Sequence, residues 1–232
     1  MTAIKERPIL FSAPMVRAIL EGRKTVTRRE VKKQAALDCL AAGFEPAFLA
    51  LPGNADLCPY GQPGERLWVR ETWGVISHDF DEHGNMVDWK PDRPATPIRE
   101  MRFGQGYYSG HVIYRADGEA TWAGDDDGGG DDRSAWKPSI HMPRIASRIL
   151  LEITEVRVER LQDISRSDIR AEGLECPAEL ASDDVSPNYR EWYPAAWREL
   201  WESINGVGAW DANPLVWVVE FKRVRAFADH VG

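Results

Sequence analysis

Residues Gly22-Arg23-Lys24-Thr25-Val26-Thr27-Arg28-Arg29 place four cations around two hydroxyls, directly after a short apolar helical pattern. A lysine beside other cations holds its proton less tightly, and a lysine that can lose its proton can act as a base. A threonine three residues away is a nucleophile within sequence reach of that base. The alternative for the same eight residues is a solvated basic turn that binds phosphate. In a regular strand, positions 24 and 27 point to opposite faces. A Lys24–Thr27 couple therefore requires the chain from Gly22 to Thr25 to be a turn or irregular.

The elements that must position these groups are legible in outline. Pro8–Phe11 reads as a short strand. Ser12 and Pro14 open a helix carrying Met15, Val16, Ile19 and Leu20 at helical spacing, and Gly22 stops it. Lys24–Arg29 reads as extended, and a second helix is expected over about 31–42. Gly64–Trp73 (GERLWVRETW) is a turn and then a strand, with Leu67, Val69 and Glu71 on one face and Trp68, Arg70 and Thr72 on the other. From about Gly74 to Ala135 the periodicity fades, and a hairpin around Ser109-Gly110 is expected between Tyr107-Tyr108 and His111–Tyr114. Ile145–Arg160 is the strongest strand signal. Ser165–Asp168 resembles a capping box, Tyr189–Ile204 is an amphipathic helix with Trp192, Trp197 and Trp201 in the core, and Pro214–Val224 is a buried final strand.

Composition narrows the function classes. The chain has 232 residues, 43% of them hydrophobic, with ten tryptophans, which suits one substantial folded core. No apolar run approaches the ~20 residues that span a bilayer, and MTAIKERPIL lacks a signal-peptide core, so a cytoplasmic protein is expected. Cys39, Cys58 and Cys176 are widely spaced and odd in number, which points to reduced thiols. The histidines form no metal-binding spacing, and no cofactor or metal is expected. In Gly124–Asp132 (GDDDGGGDD), Gly129 falls where a calcium ligand is needed and Trp136 where the closing Glu belongs. The net charge is −8, yet residues 1–33 hold nine Lys/Arg against three Glu, a local balance of +6 that leaves −14 for the rest. A basic end on an acidic body suits local contact with phosphate or a polynucleotide.

The order G-R-K-T-x-T-x-R, P-G-E-R-L-W-V-R-E, a long strand into L-x-D-I-S, A-E-G and V-W-V-V-E-F resembles the ASCH domain family, and its larger bacterial and prophage members most. The resemblance covers roughly 8–73 and 136–224. It implies an α+β fold: a PUA-like β-barrel with flanking helices, one ASCH domain over 1–232 with a long irregular insertion at 74–135. Small members hydrolyse N4-acetylcytidine and related acylated cytidines to cytidine and the carboxylate. Their catalytic set, carried over, falls on Lys24, Thr27 and Glu172, with Glu175 as the other choice of carboxylate. The chain is over twice the length of those enzymes, and its insert could cover the pocket. Other ASCH proteins are read as binding or cleaving RNA instead. The expected partner is thus a modified nucleoside or RNA.

Thr27 would attack the amide carbon, Lys24 would take its proton, and Glu172 would orient Lys24 or carry the proton to the leaving amine. Arg23 and Arg28 are candidate substrate contacts, as are Trp68, Arg70 and Glu71 on the strand after the P-G-E-R turn. Trp68 is a stacking wall in one reading and core packing in the other; Arg70 and Glu71 are ligands or an ion pair. Lys137, Ser139, His141 and Arg144 lie in a proline-bounded loop that could face the pocket.

Overall fold

Strand and helix signals in the sequence resolve into ten strands and five helices in the computed structural model, which describes residues 4–120, 136–178 and 187–224. In chain order they are β1 (Glu6–Leu10), α1 (Ala13–Leu20), β2 (Val26–Glu30), α2 (Gln34–Ala41), α3 (Pro46–Leu49) and β3 (Arg66–Arg70). Then come β4 (Trp73–Ile76), β5 (His78–Phe80), β6 (Met86–Asp88), β7 (Thr96–Phe103) and β8 (Gly106–Tyr114). The chain finishes with β9 (Leu150–Arg160), α4 (Arg166–Ala171), α5 (Pro187–Asn205) and β10 (Leu215–Val224). The Gly124–Asp132 loop lies outside the described residues. The fold is mixed α+β, and no helix among the described residues is long and apolar enough to cross a membrane.

The chain divides into two compact units. Among the described residues the first comprises 4–7, 18–67, 151–178 and 187–224, the second 8–17, 68–120 and 136–150. All five strands of a sheet ordered β1–β3–β9–β10–β2 have residues in the first unit. Among the described residues no pairing joins the edges β1 and β2, so the sheet is open rather than a closed barrel.

In the first unit, β10 runs antiparallel to β2 with Arg28 opposite Val218 and Thr27 opposite Val219. Paired residues share a face, so Val26, Arg28, Val218 and Glu220 lie on one side and Thr27 and Val219 on the other. On the first side Val26, Val216 and Val218 pack against Tyr193, Trp197 and Trp201 of α5. Those three aromatics are spaced i, i+4, i+8, the period that puts them on one stripe of a helix. Their burial is what fastens α5 to the sheet, since each aromatic removes roughly 150–250 Å² from water.

In the second unit β4, β8 and β7 form an antiparallel sheet in that order. Trp73, Met101, Val112, Tyr114 and Met142 are its core, and Trp73 meets Phe103 edge-to-face with centroids 5.1 Å apart. Burial lifts the Tyr114 phenol to about 12. The structure corrects two expectations here. The stretch after Gly74 is not featureless, because β4 to β8 fill it as far as Tyr114. Its hairpin turns at Gly104-Gln105, while β8 runs straight through Ser109-Gly110. Gly110 is a close-approach residue rather than a turn residue: φ is +108° and an added Cβ would lie 2.3 Å from the Ile76 carbonyl oxygen.

Gly110→Ala is therefore expected to cost more than the ~1–2 kcal/mol of a left-handed backbone alone. Overpacking against a carbonyl adds about 1–3 kcal/mol. Denaturant unfolding should show a total loss of about 2–5 kcal/mol, and a stability within error of the parent chain would refute this account of β8.

Candidate active site

Lys24 leaves the turn that follows α1. Its backbone N–H and that of Arg23 both bond the Ala18 carbonyl, at 3.0 and 2.8 Å, which folds the chain back before β2 begins. The end of α4 meets it. Ser165 caps that helix by accepting the Asp168 N–H at 3.1 Å, Glu172 is the C-terminal cap, and Lys24 and Glu172 form an isolated antiparallel bridge. Gly173 lets the two segments close: φ is +92°, and an added Cβ would come within 2.8 Å of the Ala18 Cβ and 3.0 Å of the Lys24 Cβ.

This juxtaposition buries an ion pair. Lys24 Nζ donates to Glu172 Oε2 at 2.6 Å, to the Glu172 carbonyl at 3.0 Å and to the Val26 carbonyl at 2.9 Å. The Lys24 side chain is 0% exposed and that of Glu172 3%. An ammonium has three N–H donors, and here each has an acceptor. Burial pushes the lysine below its ordinary range; Glu172 opposes this, and Arg29 and Arg28 reinforce it. The unfolded chain thus binds that proton more tightly than the folded one. Folding is penalised below the depressed value, and the penalty disappears as pH climbs towards the ordinary lysine value of about 10.4.

A second layer of charge surrounds the pair. Arg28, also with a wholly buried side chain, reaches Glu172 Oε1 at 3.4 Å, Glu159 Oε1 at 2.7 Å and Asp168 Oδ2 at 2.6 Å. Arg157 on β9 shares the same two outer carboxylates, at 3.3 Å from Glu159 and 3.0 Å from Asp168, and also pairs with Glu220 and Glu155. Exposure of the carboxylates rises outward, from 3% at Glu172 through 20% at Glu159 and 26% at Asp168 to 37% at Glu220. Three cations and five carboxylates make the assembly net negative.

Of the three expected catalytic residues the structure brings together Lys24 and Glu172. Thr27 is buried, but it pairs with Val219 and so leaves β2 on the face opposite Arg28 and the ion pair. The irregular stretch ends too early: β2 is already a regular strand at Val26. Glu175 is not the buried carboxylate; it lies at the surface, 3.4 Å from Arg23. Arg23 itself bonds Glu21 and donates to the Gly173 carbonyl at 2.7 Å, bracing the same turn.

The remaining candidates lie in the second unit. Trp68 is a buried packing residue with the Arg70 guanidinium 4.7 Å above its ring. Glu71 is buried and held by Arg148 at 3.0 Å through both oxygens; Arg148 in turn grips Asp117 at 2.6 Å. Burial raises the Glu71 carboxyl, against the pull of Arg148. Lys137 pairs by its backbone with Trp73, and its ammonium sits over Tyr108 at 5.1 Å and Phe103 at 5.8 Å. Ser139 and His141 bound a single turn of 3₁₀ helix, with His141 exposed, and Arg144 is exposed as well. Among the described residues no group of three or more His, Cys, Asp or Glu is placed to hold a metal ion.

Part of the expected basic end is charge-compensated within the fold. Within residues 4–33, Arg7 pairs with Glu65, Arg23 with Glu21, Lys24 with Glu172, Arg28 with three carboxylates and Lys32 with Glu30. Glu159, Asp168 and Arg157 were not among the sequence candidates. Their signals were present: Glu155, Arg157 and Glu159 alternate along one face of a strand, and Asp168 is the N3 residue of the capping box. Comparison with known proteins yields no matching family, curated relative or solved structure.

Removing one member of a buried pair strands the other charge, at a cost of about 3–5 kcal/mol. Glu172→Gln and Lys24→Met are each expected to lose that much in urea unfolding. The double change should lose far less than the two together, and strict additivity would show that the two groups are not coupled.

Proposed function

We propose that the chain is an ASCH-type amidohydrolase that cleaves N4-acetylcytidine or a related acylated nucleoside, with the buried Lys24–Glu172 pair handling the proton. The observation that supports this reading is the meeting of those two side chains across 148 residues, at the positions the G-R-K-T-x-T resemblance assigns to catalysis. On this reading the open five-stranded sheet with α4 and α5 on one face is a PUA-like barrel that stops short of closure.

The reaction transfers an acyl group. Thr27 Oγ1 attacks the amide carbon, the neutral Lys24 amine takes the hydroxyl proton, and the cytosine amine leaves carrying a proton back. Water then cleaves the acyl-threonine ester, giving the carboxylate and free enzyme. Lys24 must first release Val26 and turn toward Thr27. β2 is an edge strand, so a side chain at its start can pass from one face to the other around the sheet margin. Glu172 keeps the amine close in both positions. The acidic surroundings of the pair, with Glu159, Asp168 and Glu220 part-exposed, repel a polyanion and favour an uncharged nucleoside over RNA.

Incubation of the purified chain with N4-acetylcytidine should release cytidine. Lys24→Ala and Thr27→Ala are each expected to lower kcat/KM by ~10²–10⁴, with Thr27→Ser partly active. A folded chain inert towards acylated nucleosides would end this reading. Because burial depresses Lys24, the rate should climb with pH along a limb set below the ordinary lysine value of about 10.4. A limb at or above that value would remove Lys24 from the role of base.

A further inference from the structure

The hydrolase reading leaves Arg28 without a task, since its guanidinium is enclosed by protein and faces only carboxylates. Its Nε and Nη2 bond Glu159 at 3.0 and 2.7 Å, Nη2 also bonds Asp168 at 2.6 Å, and Nη1 reaches Glu172 at 3.4 Å. A side chain 0% exposed is not a surface contact for substrate. Arginine keeps its charge in proteins, so it cannot pass a proton between these carboxylates. It is a fixed positive point with three negative groups arranged round it.

We infer that Arg28 is a positioning residue for the Lys24–Glu172 pair. It is the charge on which Glu159, Asp168 and Glu172 converge, and it takes one oxygen of Glu172 while the other is kept for Lys24. The inference deepens the hydrolase reading, on which its catalytic meaning rests.

The neighbouring charges do not duplicate this role. Lys24 holds the other oxygen of Glu172, and Arg157 pairs with Glu155, Glu159, Asp168 and Glu220. Arg170 of α4 lies over the Tyr193 ring of α5, 5.2 Å from its centroid. Arg29 is the next residue on β2 and leaves it from the other face, and its charge bears on Lys24 as well. Without Arg28, Glu159, Asp168 and Glu172 would lose the wholly buried guanidinium that they share. Like charges so placed do not all stay ionised, and one takes up a proton well above the ordinary carboxylate range. Glu172, the most buried of the three, is the group for which ionisation is then hardest. Arg28 thus acts on Lys24 through Glu172.

Carboxyl-carbon NMR of the whole chain, labelled in Glu and Asp, tests this without any substrate. Arg28→Gln should gain a carboxyl that titrates about 1–3 units above its position in the parent chain, and Arg28→Lys should restore the parent titration. A folded Arg28→Gln chain with unaltered titrations overturns the inference. If that chain does not fold, Arg28→Gln with Asp168→Asn decides. Recovery of the fold with ordinary titrations supports the charge argument, and failure to recover overturns it. In cytidine-release assays Arg28→Gln should lower kcat and move the pH limb with KM little changed, and Arg28→Lys should regain both. An unmoved kcat and limb overturns positioning. A chain inert towards acylated nucleosides sinks the hydrolase reading alone, because the titration is read with no substrate present.

Discussion

The first unit is organised around the cost of taking an ammonium out of water. Lys24 has no exposed side-chain surface, and an isolated charge in that position would be untenable. Glu172 supplies the counter-charge, but a buried carboxylate carries its own desolvation cost, and its second oxygen still needs a partner. Arg28 meets that need and introduces a further buried charge, which Glu159 and Asp168 then balance. The compensation ends only where solvent does the rest, at Arg157 and Glu220. Such assemblies give specificity of arrangement more readily than net stability.

The backbone follows from this requirement. The turn after α1 has to deliver Lys24 and the cap of α4 has to deliver Glu172. Gly173 is the residue whose missing side chain lets the two segments touch. One face of the sheet beneath carries two environments. Val26, Val216 and Val218 give α5 a dry surface, while Arg28 and Glu220, cross-strand partners of Val218 and Val26, carry the polar assembly on that same face. The second unit solves a similar problem independently, with Arg148 held between Glu71 and Asp117 and stacked 3.9 Å from the Tyr114 ring centroid.

Much of this was legible in the residues. The helical spacing of α1 and α5, the alternation in β3 and the capping serine of α4 are local patterns, and they predicted these elements to within a few residues, whereas β9 starts at Leu150 rather than the expected Ile145 because Arg144–Ala146 is a turn of 3₁₀ helix. The Lys24–Glu172 pairing was legible only through family resemblance, because no local rule links residues so far apart. Thr27 leaves β2 on the other face because one residue of register reverses the side from which a side chain emerges. Glu71 and Lys137 stayed open to a ligand role in the sequence because their partners, Arg148 and Tyr108, come from distant segments. The strands β4 to β7 were hidden by Gly, Pro and Asp, residues of low strand preference. Gly110 resembles a turn glycine in sequence and differs only in what stands beside it.

The span between Lys24 and its counter-ion has a consequence for synthesis. At about 5–20 residues per second, a ribosome needs on the order of 7–30 s after adding Lys24 to reach Glu172. During that interval Lys24 and Arg28 must stay hydrated, because their counter-ions lie on segments still to be made. The turn after α1 can therefore dry only once a segment 148 residues further on has been added, which ties its maturation to a much later moment of translation.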